Sequence, residues 1–122
     1  MEYESVKLVS SKIEPGVQYR VIRMSFARRM ELMRAVRDLA SRREFLAAGE
    51  STEDKMDAAL VQAEIERAYL GWGLQGVAGL VIDGEEARPD TLANAGPEAL
   101  CREALEAVKA ETGLTETERK NC

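Results

Sequence analysis

Between residues 3 and 24 apolar positions alternate with polar ones, first at Val6 and Leu8 and then at Val17, Tyr19 and Val21. A period of two places such side chains on one face of a strand. Glu14-Pro15-Gly16 separates the two runs. Proline suits the first central position of a turn, and glycine suits the second, where a positive φ is needed. The segment predicts a β-hairpin, and Ser25 is placed to cap the element after it.

From Phe26 to Ala48 the apolar spacing becomes helical. At 100° per residue, Leu32, Met33, Val36, Leu39, Ala40 and Leu46 gather within an arc of about 140°, opposite Glu31, Arg34, Asp38, Ser41 and Arg42. Gly49 is expected to end this helix in the left-handed conformation. Ser51 or Thr52 then caps a second helix reaching about Leu70, with Glu53, Asp54 and Asp57 near the positive end of its dipole. Its buried stripe is expected to be Met56, Ala59, Leu60 and Ala63, with Val61, Ile65, Ala68 and Tyr69 on an adjoining face. The short connection makes the two helices an antiparallel pair.

Four glycines, Gly71, Gly73, Gly76 and Gly79, interrupt the helical pattern. They are not a phosphate-binding loop, because no Lys-Ser or Lys-Thr comes after them and the run leads toward a strand instead of a helix start. A short apolar strand is expected over Gly79 to Ile82, turned by Asp83-Gly84 into a second hairpin. Pro89-Asp90 opens a short helical turn through Leu92. Gly96-Pro97 opens a last main helix reaching about Thr112, with Leu100, Ala104, Ala107 and Val108 inward, Cys101 and Leu105 at the border and Gly113 as its stop. Thr115 and Glu118 form a capping box for a final turn over residues 116–120. The whole reads as one α+β domain, mostly helical, with an antiparallel helix pair, a C-terminal helix and one or two small β-hairpins. Whether the hairpins merge into one sheet stays open.

Composition narrows the chemistry. The 122 residues include no histidine, which removes imidazole bases, His-ligated zinc and haem ligation. The two cysteines, Cys101 and Cys122, form neither a disulfide framework nor a metal-ligand spacing. No apolar run is long enough to span a bilayer. Net charge is −5, but residues 1–49 carry 10 basic and 6 acidic side chains, and eight arginines lie between Arg20 and Arg43. These arginines are expected to pair with the acidic second half of the fold rather than with nucleic acid. Glu64 and Glu66 point to different faces and read as solvated charge. Trp72, beside Tyr69 and Leu74, reads as a core residue with its indole N–H bonded, and secondarily as a partner contact. No nucleophile, base and orienting loop come together, so neither an enzyme nor a cofactor is expected.

The order of elements resembles a known group. Ser25-Phe26 leading to Arg28-Arg29, Leu32-Met33-Arg34, Tyr69-Leu70 with Trp72-Gly73-Leu74, Gly79-Leu80 with Ile82-Asp83-Gly84, Gly96-Pro97-Glu98, Gly113-Leu114-Thr115 and Glu118-Arg119-Lys120-Asn121 are similar to small proteins of tailed-bacteriophage and prophage tail genes, in particular tail assembly chaperones. The resemblance covers residues from about 20 to 121. It implies a non-enzymatic protein of the bacterial host cytoplasm that binds the helical tape-measure protein and keeps it soluble while the tail assembles. A helix-binding role calls for an apolar strip with adaptable side chains. The candidates for that strip are Met24, Met30, Met33, Phe45 and Leu46, with Trp72 second. Two other readings accompany it: a structural tail or connector subunit that oligomerises and stays in the virion, and a small DNA-binding regulator using the arginine-rich helix.

Overall fold

A computed structural model describes residues 1–113. The turn expected over residues 116–120 lies outside the described residues. In chain order the elements are β1 (Val6–Ser10), β2 (Gln18–Ile22), α1 (Phe26–Ala47), α2 (Thr52–Gly73), β3 (Leu74–Ala78), β4 (Val81–Ile82), β5 (Glu85–Glu86), α3 (Pro89–Ala95) and α4 (Glu98–Glu111). The class is α+β and mostly helical, as the residue patterns predict.

The first hairpin forms where the alternation places it, with Val6 opposite Ile22 and Ser10 opposite Gln18. Gly16 turns it at φ +90°. Val17, Tyr19 and Val21 are buried, whereas Leu8 remains exposed on the edge strand. The sheet gains a third strand that local pattern does not announce: β3 lies antiparallel to β2 on the side away from β1, with an irregularity between Arg20 and Val21. The strand expected over Gly79 to Ile82 therefore begins later, at Val81, and the Gly-rich stretch before it supplies β3. Asp83 and Gly84, at φ 51° and 82°, make the predicted two-residue turn between β4 and β5. These two strands form a separate sheet, which answers the question of merger: the N-terminal hairpin joins β3, and the second hairpin joins neither.

Both long helices start where capping chemistry puts them. Ser25 accepts from the Arg28 N–H and Ser51 from the Asp54 N–H. Gly49 departs from expectation. It is not left-handed; its lack of a side chain instead admits the Asp54 carboxylate into the space a Cβ would fill. Gly113, at φ +72°, does close the last helix in the left-handed form. Pro97 sits one residue outside that helix, as its cap.

The second helix corrects the expected burial. Met56 and Leu60 are exposed, and the adjoining face, Val61, Ile65 and Tyr69, carries the contact with the core. The helix also continues three residues past Leu70. Gly71 and Gly73 are tolerated because the last turn is anchored by packing: Trp72 is buried, and Gly73 lies so near Val108 of α4 that a Cβ would come within 2.5 Å of its Cγ1. Gly79, at φ +80°, answers a second close approach, to the Gly16 carbonyl. The core is one cluster joining β2 and β3 to α1, α2, α3 and α4.

Glu103 of α4 ties the hairpin to that core. Its carboxylate accepts from the Ser11 hydroxyl at 2.6 Å, the Tyr19 hydroxyl at 2.7 Å and the Lys12 N–H at 2.9 Å. Burial works to raise the Glu103 pKa, but the bonds from Ser11, Tyr19 and the backbone of Lys12 and Ile13 outweigh it and hold the carboxyl below its ordinary value. The Tyr19 hydroxyl is pushed well above its ordinary value, first by burial and then by its bond to Glu103.

These contacts have measurable consequences for stability. Because the folded pKa of Glu103 is depressed, its contribution is present above the ordinary carboxylate pKa and is lost as pH falls through the folded value. Glu103→Gln is expected to cost about 1–3 kcal/mol at pH 7 and to flatten the acid limb of stability measured by urea unfolding from pH 7 to 3. Gly73→Ala forces a methyl against Val108 and is expected to cost about 1–3 kcal/mol in the same assay, whereas Gly71→Ala, with open space around it, is expected to cost nothing.

Candidate functional site

Helix α1 packs chiefly on α2, through Leu32, Val36 and Ala40. Beside that buried stripe runs an open apolar groove with a volume of about 580 Å³. Leu32, Val36, Ala40 and Tyr69 contribute to its floor, Met30 and Met33 stand along it, and Arg29, Arg34 and Arg37 line its rim. Met30 is 42% and Met33 60% exposed, so their flexible thioethers face outward instead of filling the core. Glu44 is the one carboxylate among the described lining residues. The Arg37–Asp38 ion pair, at 3.3 Å, joins two highly exposed side chains and holds the guanidinium only weakly.

The ends of α1 and α2 are locked together at the sheet side of this groove. The Arg28 guanidinium donates to the Trp72 carbonyl, the Trp72 indole N–H donates to the Arg28 carbonyl at 3.0 Å, and the guanidinium carbon lies 4.7 Å from the indole centroid. Arg29, one residue on, donates to the Thr112 carbonyl at 3.1 Å at the end of α4. Together these contacts set the position of the groove against the rest of the fold.

The six residues that the sequence singles out as a strip do not form one. Met30 and Met33 share the groove. Met24 and Leu46 are half-buried against the core. Phe45 is 80% exposed but lies outside the groove, about 120° around the helix from Met33 and 140° from Leu32. Trp72 is buried and bonded, as the core reading expects, and this corrects its secondary reading as a partner contact: its indole has no face to offer. The groove residues that sequence reasoning leaves out are the floor and the rim. On the helical wheel Arg29, Arg37 and Arg34 alternate with Met33 and Met30, and that interleaving is the signal that points to them.

The arginines also behave otherwise than expected. Arg28 and Arg29 donate to backbone carbonyls, Arg43 to Gln62 at 2.6 Å and Arg20 to Gln75 at 3.2 Å. The Arg28–Glu31 and Arg37–Asp38 ion pairs stay within α1 instead of reaching the acidic half. Glu66, expected in solvent, is half-buried and is approached by Arg102 at 3.5 Å and Lys109 at 3.6 Å, which joins α2 to α4.

A second concavity, about 590 Å³, lies among α2, α3 and α4 beneath Leu60, Leu92 and Leu105, with Glu66, Glu98, Arg67 and Arg102 around it. Cys101 faces it, but burial pushes the thiol pKa up, which makes it a poor nucleophile at neutral pH. Among the described residues no cluster of three or more Cys, Asp or Glu side chains is placed to hold a metal ion. None of the described helices is long and apolar enough to cross a membrane. Comparison with protein-family models, with curated proteins and with solved structures returns no match.

Proposed function

We propose that the α1 groove receives an amphipathic helix of a partner protein, and that the chain serves as an assembly chaperone for a long helical protein of the tape-measure type in a tailed phage or prophage. The observation that carries the binding reading is the pairing of an apolar floor with two outward methionines and an arginine rim on a chain whose net charge is −5. An amphipathic helix lays its apolar face into such a groove, and unbranched methionine adapts to varied side chains along it. The rim favours acidic residues on the flanks of that helix. The chaperone role and its partner rest on the sequence resemblance.

A tail-subunit role has one feature in its favour: β1 forms an edge of its sheet, with Lys7 and Leu8 exposed. The DNA-binding reading is weakened by the donation of Arg28, Arg29 and Arg43 to acceptors within the fold.

Co-expression with the tape-measure protein, followed by size-exclusion chromatography with light scattering, tests the proposal. Co-elution with a solubilised partner is expected, and the double variant Met30→Glu/Met33→Glu should weaken capture at least about tenfold, the scale of a small hot spot. Because both side chains are exposed, its thermal midpoint should stay within a few degrees of the parent. Undiminished capture by that variant, or a stable ring that ignores the partner, overturns the reading.

A further inference from the structure

Helix α2 carries a second apolar surface that the fold leaves uncovered. Met56 is 64% and Leu60 63% exposed, and Ala59 and Ala63 beside them are exposed too. At 100° per residue, Met56 and Leu60 stand about 180° and 140° around the helix from Ile65 of its buried face. This stripe is therefore remote from α1 and its groove. Toward the end of α2 it runs into the concavity of about 590 Å³, which Leu60, Ala63 and Arg67 line from one side and Leu92 and Leu105 from the other.

Charge at the two ends of the stripe has opposite sign. Glu53, Leu60 and Arg67 recur at seven-residue intervals and so lie close to one line along the helix. Glu53 and Arg67 are exposed, and among the described residues neither has an ion-pair partner. Arg67 is steadied by Asn94, whose side-chain oxygen accepts from it at 2.6 Å. Each charge lies seven residues from Leu60, about 10.5 Å along the axis. An antiparallel copy of α2 with a two-fold axis at Leu60 therefore sets Leu60 on Leu60 and Glu53 on Arg67 at both ends. A parallel copy sets like charge on like charge instead, which disfavours it. The antiparallel arrangement also brings Met56 of one copy opposite position 64 of the other, over the mouth of the concavity between Ala63 and Arg67, where an unbranched thioether fits. Asp57 and Glu64 lie farther round the helix, away from this line of contact.

On these grounds we infer that a second copy of this chain covers the α2 face in an antiparallel, two-fold dimer, with Met56 of each copy seated in the concavity of the other. The inference concerns a different face from the α1 groove and does not depend on it. Such a dimer presents two grooves, so that two helices, or two stretches of one long helix, are held at once.

Light scattering over a dilution series of the full chain tests this. A monomer–dimer equilibrium is expected, and a monomer at every concentration up to roughly 100 μM overturns the inference. Leu60→Glu should weaken the dimer at least about tenfold and, because the side chain is exposed, leave the thermal midpoint within a few degrees of the parent. Glu53→Arg and Arg67→Glu should each weaken it about tenfold by opposing like charges at both ends, and the two combined should restore it. A dimer indifferent to these changes, or a combined variant that stays dissociated, overturns the inference. Cross-linking reads the register: with Cys101→Ala and Cys122→Ala, mild oxidation should join chains carrying Leu60→Cys but not chains carrying Met56→Cys, whose positions lie eight residues, about 12 Å, apart along the paired helices. The reverse pattern contradicts an axis at Leu60. Met30→Glu/Met33→Glu should leave the dimer intact, and loss of the dimer in that variant places the contact in the α1 groove and overturns the inference.

Discussion

Helix α1 leans mainly on one other helix, and the candidate site exists because of that imbalance. A 22-residue helix in a fold of this size ordinarily buries one broad stripe. Here Leu32, Val36 and Ala40 are buried, and the adjacent stripe of Met30 and Met33 stands beside them in water. The position of α1 is set at one end: the Arg28–Trp72 exchange of backbone and side-chain bonds fastens it to α2, and Arg29 fastens it to α4. The sheet packs on α2, α3 and α4, with Glu103 beneath Ser11 and Tyr19, and has few direct contacts with α1.

That division gives the molecule two kinds of polar chemistry. Around Glu103 a carboxylate collects donors from the hairpin and fixes a turn region that few apolar contacts would otherwise hold. At the base of α1 Arg28 and Arg29 donate hydrogen bonds to backbone carbonyls, and the Arg28 guanidinium lies over an indole face, which ties both side chains to the fold. Arg34 and Arg37, farther along, line the groove and set its basic character within an acidic protein. Charge along this helix is therefore divided: bonded to the rest of the fold at the N-terminal end and set on the groove rim in the middle.

Much of this is legible in the residues alone. The alternation at Val17, Tyr19 and Val21, the serine caps and the Asp83-Gly84 turn are local signals, set by neighbours within a few residues, and each appears where expected. Expectation and structure part where a distant contact decides. The third strand is illegible in Leu74 to Ala78 because its partner, β2, lies more than fifty residues away. Gly73 looks like a helix stop until Val108 arrives against it. Methionine and leucine at Met56 and Leu60 favour burial by type, yet α1 and α4 take the other faces of α2 and leave these outward. The groove itself is half visible: Met30 and Met33 stand out by type, whereas Phe45 is drawn in by hydrophobicity alone and excluded by its angle on the helix. Trp72 is readable as core from its neighbours Tyr69 and Leu74, and its bond to the Arg28 carbonyl requires the fold.

A titration observed at the methionine methyls, with an acidic amphipathic helical peptide as the probe, reads occupancy of the α1 groove. The Met30 and Met33 signals are expected to shift together and saturably while Met56 stays in place, and the affinity is expected to drop as salt screens the arginine rim. Shifts centred on Met56, or none at Met30 and Met33 at saturating peptide, would contradict the assignment of the α1 groove as the recognition site.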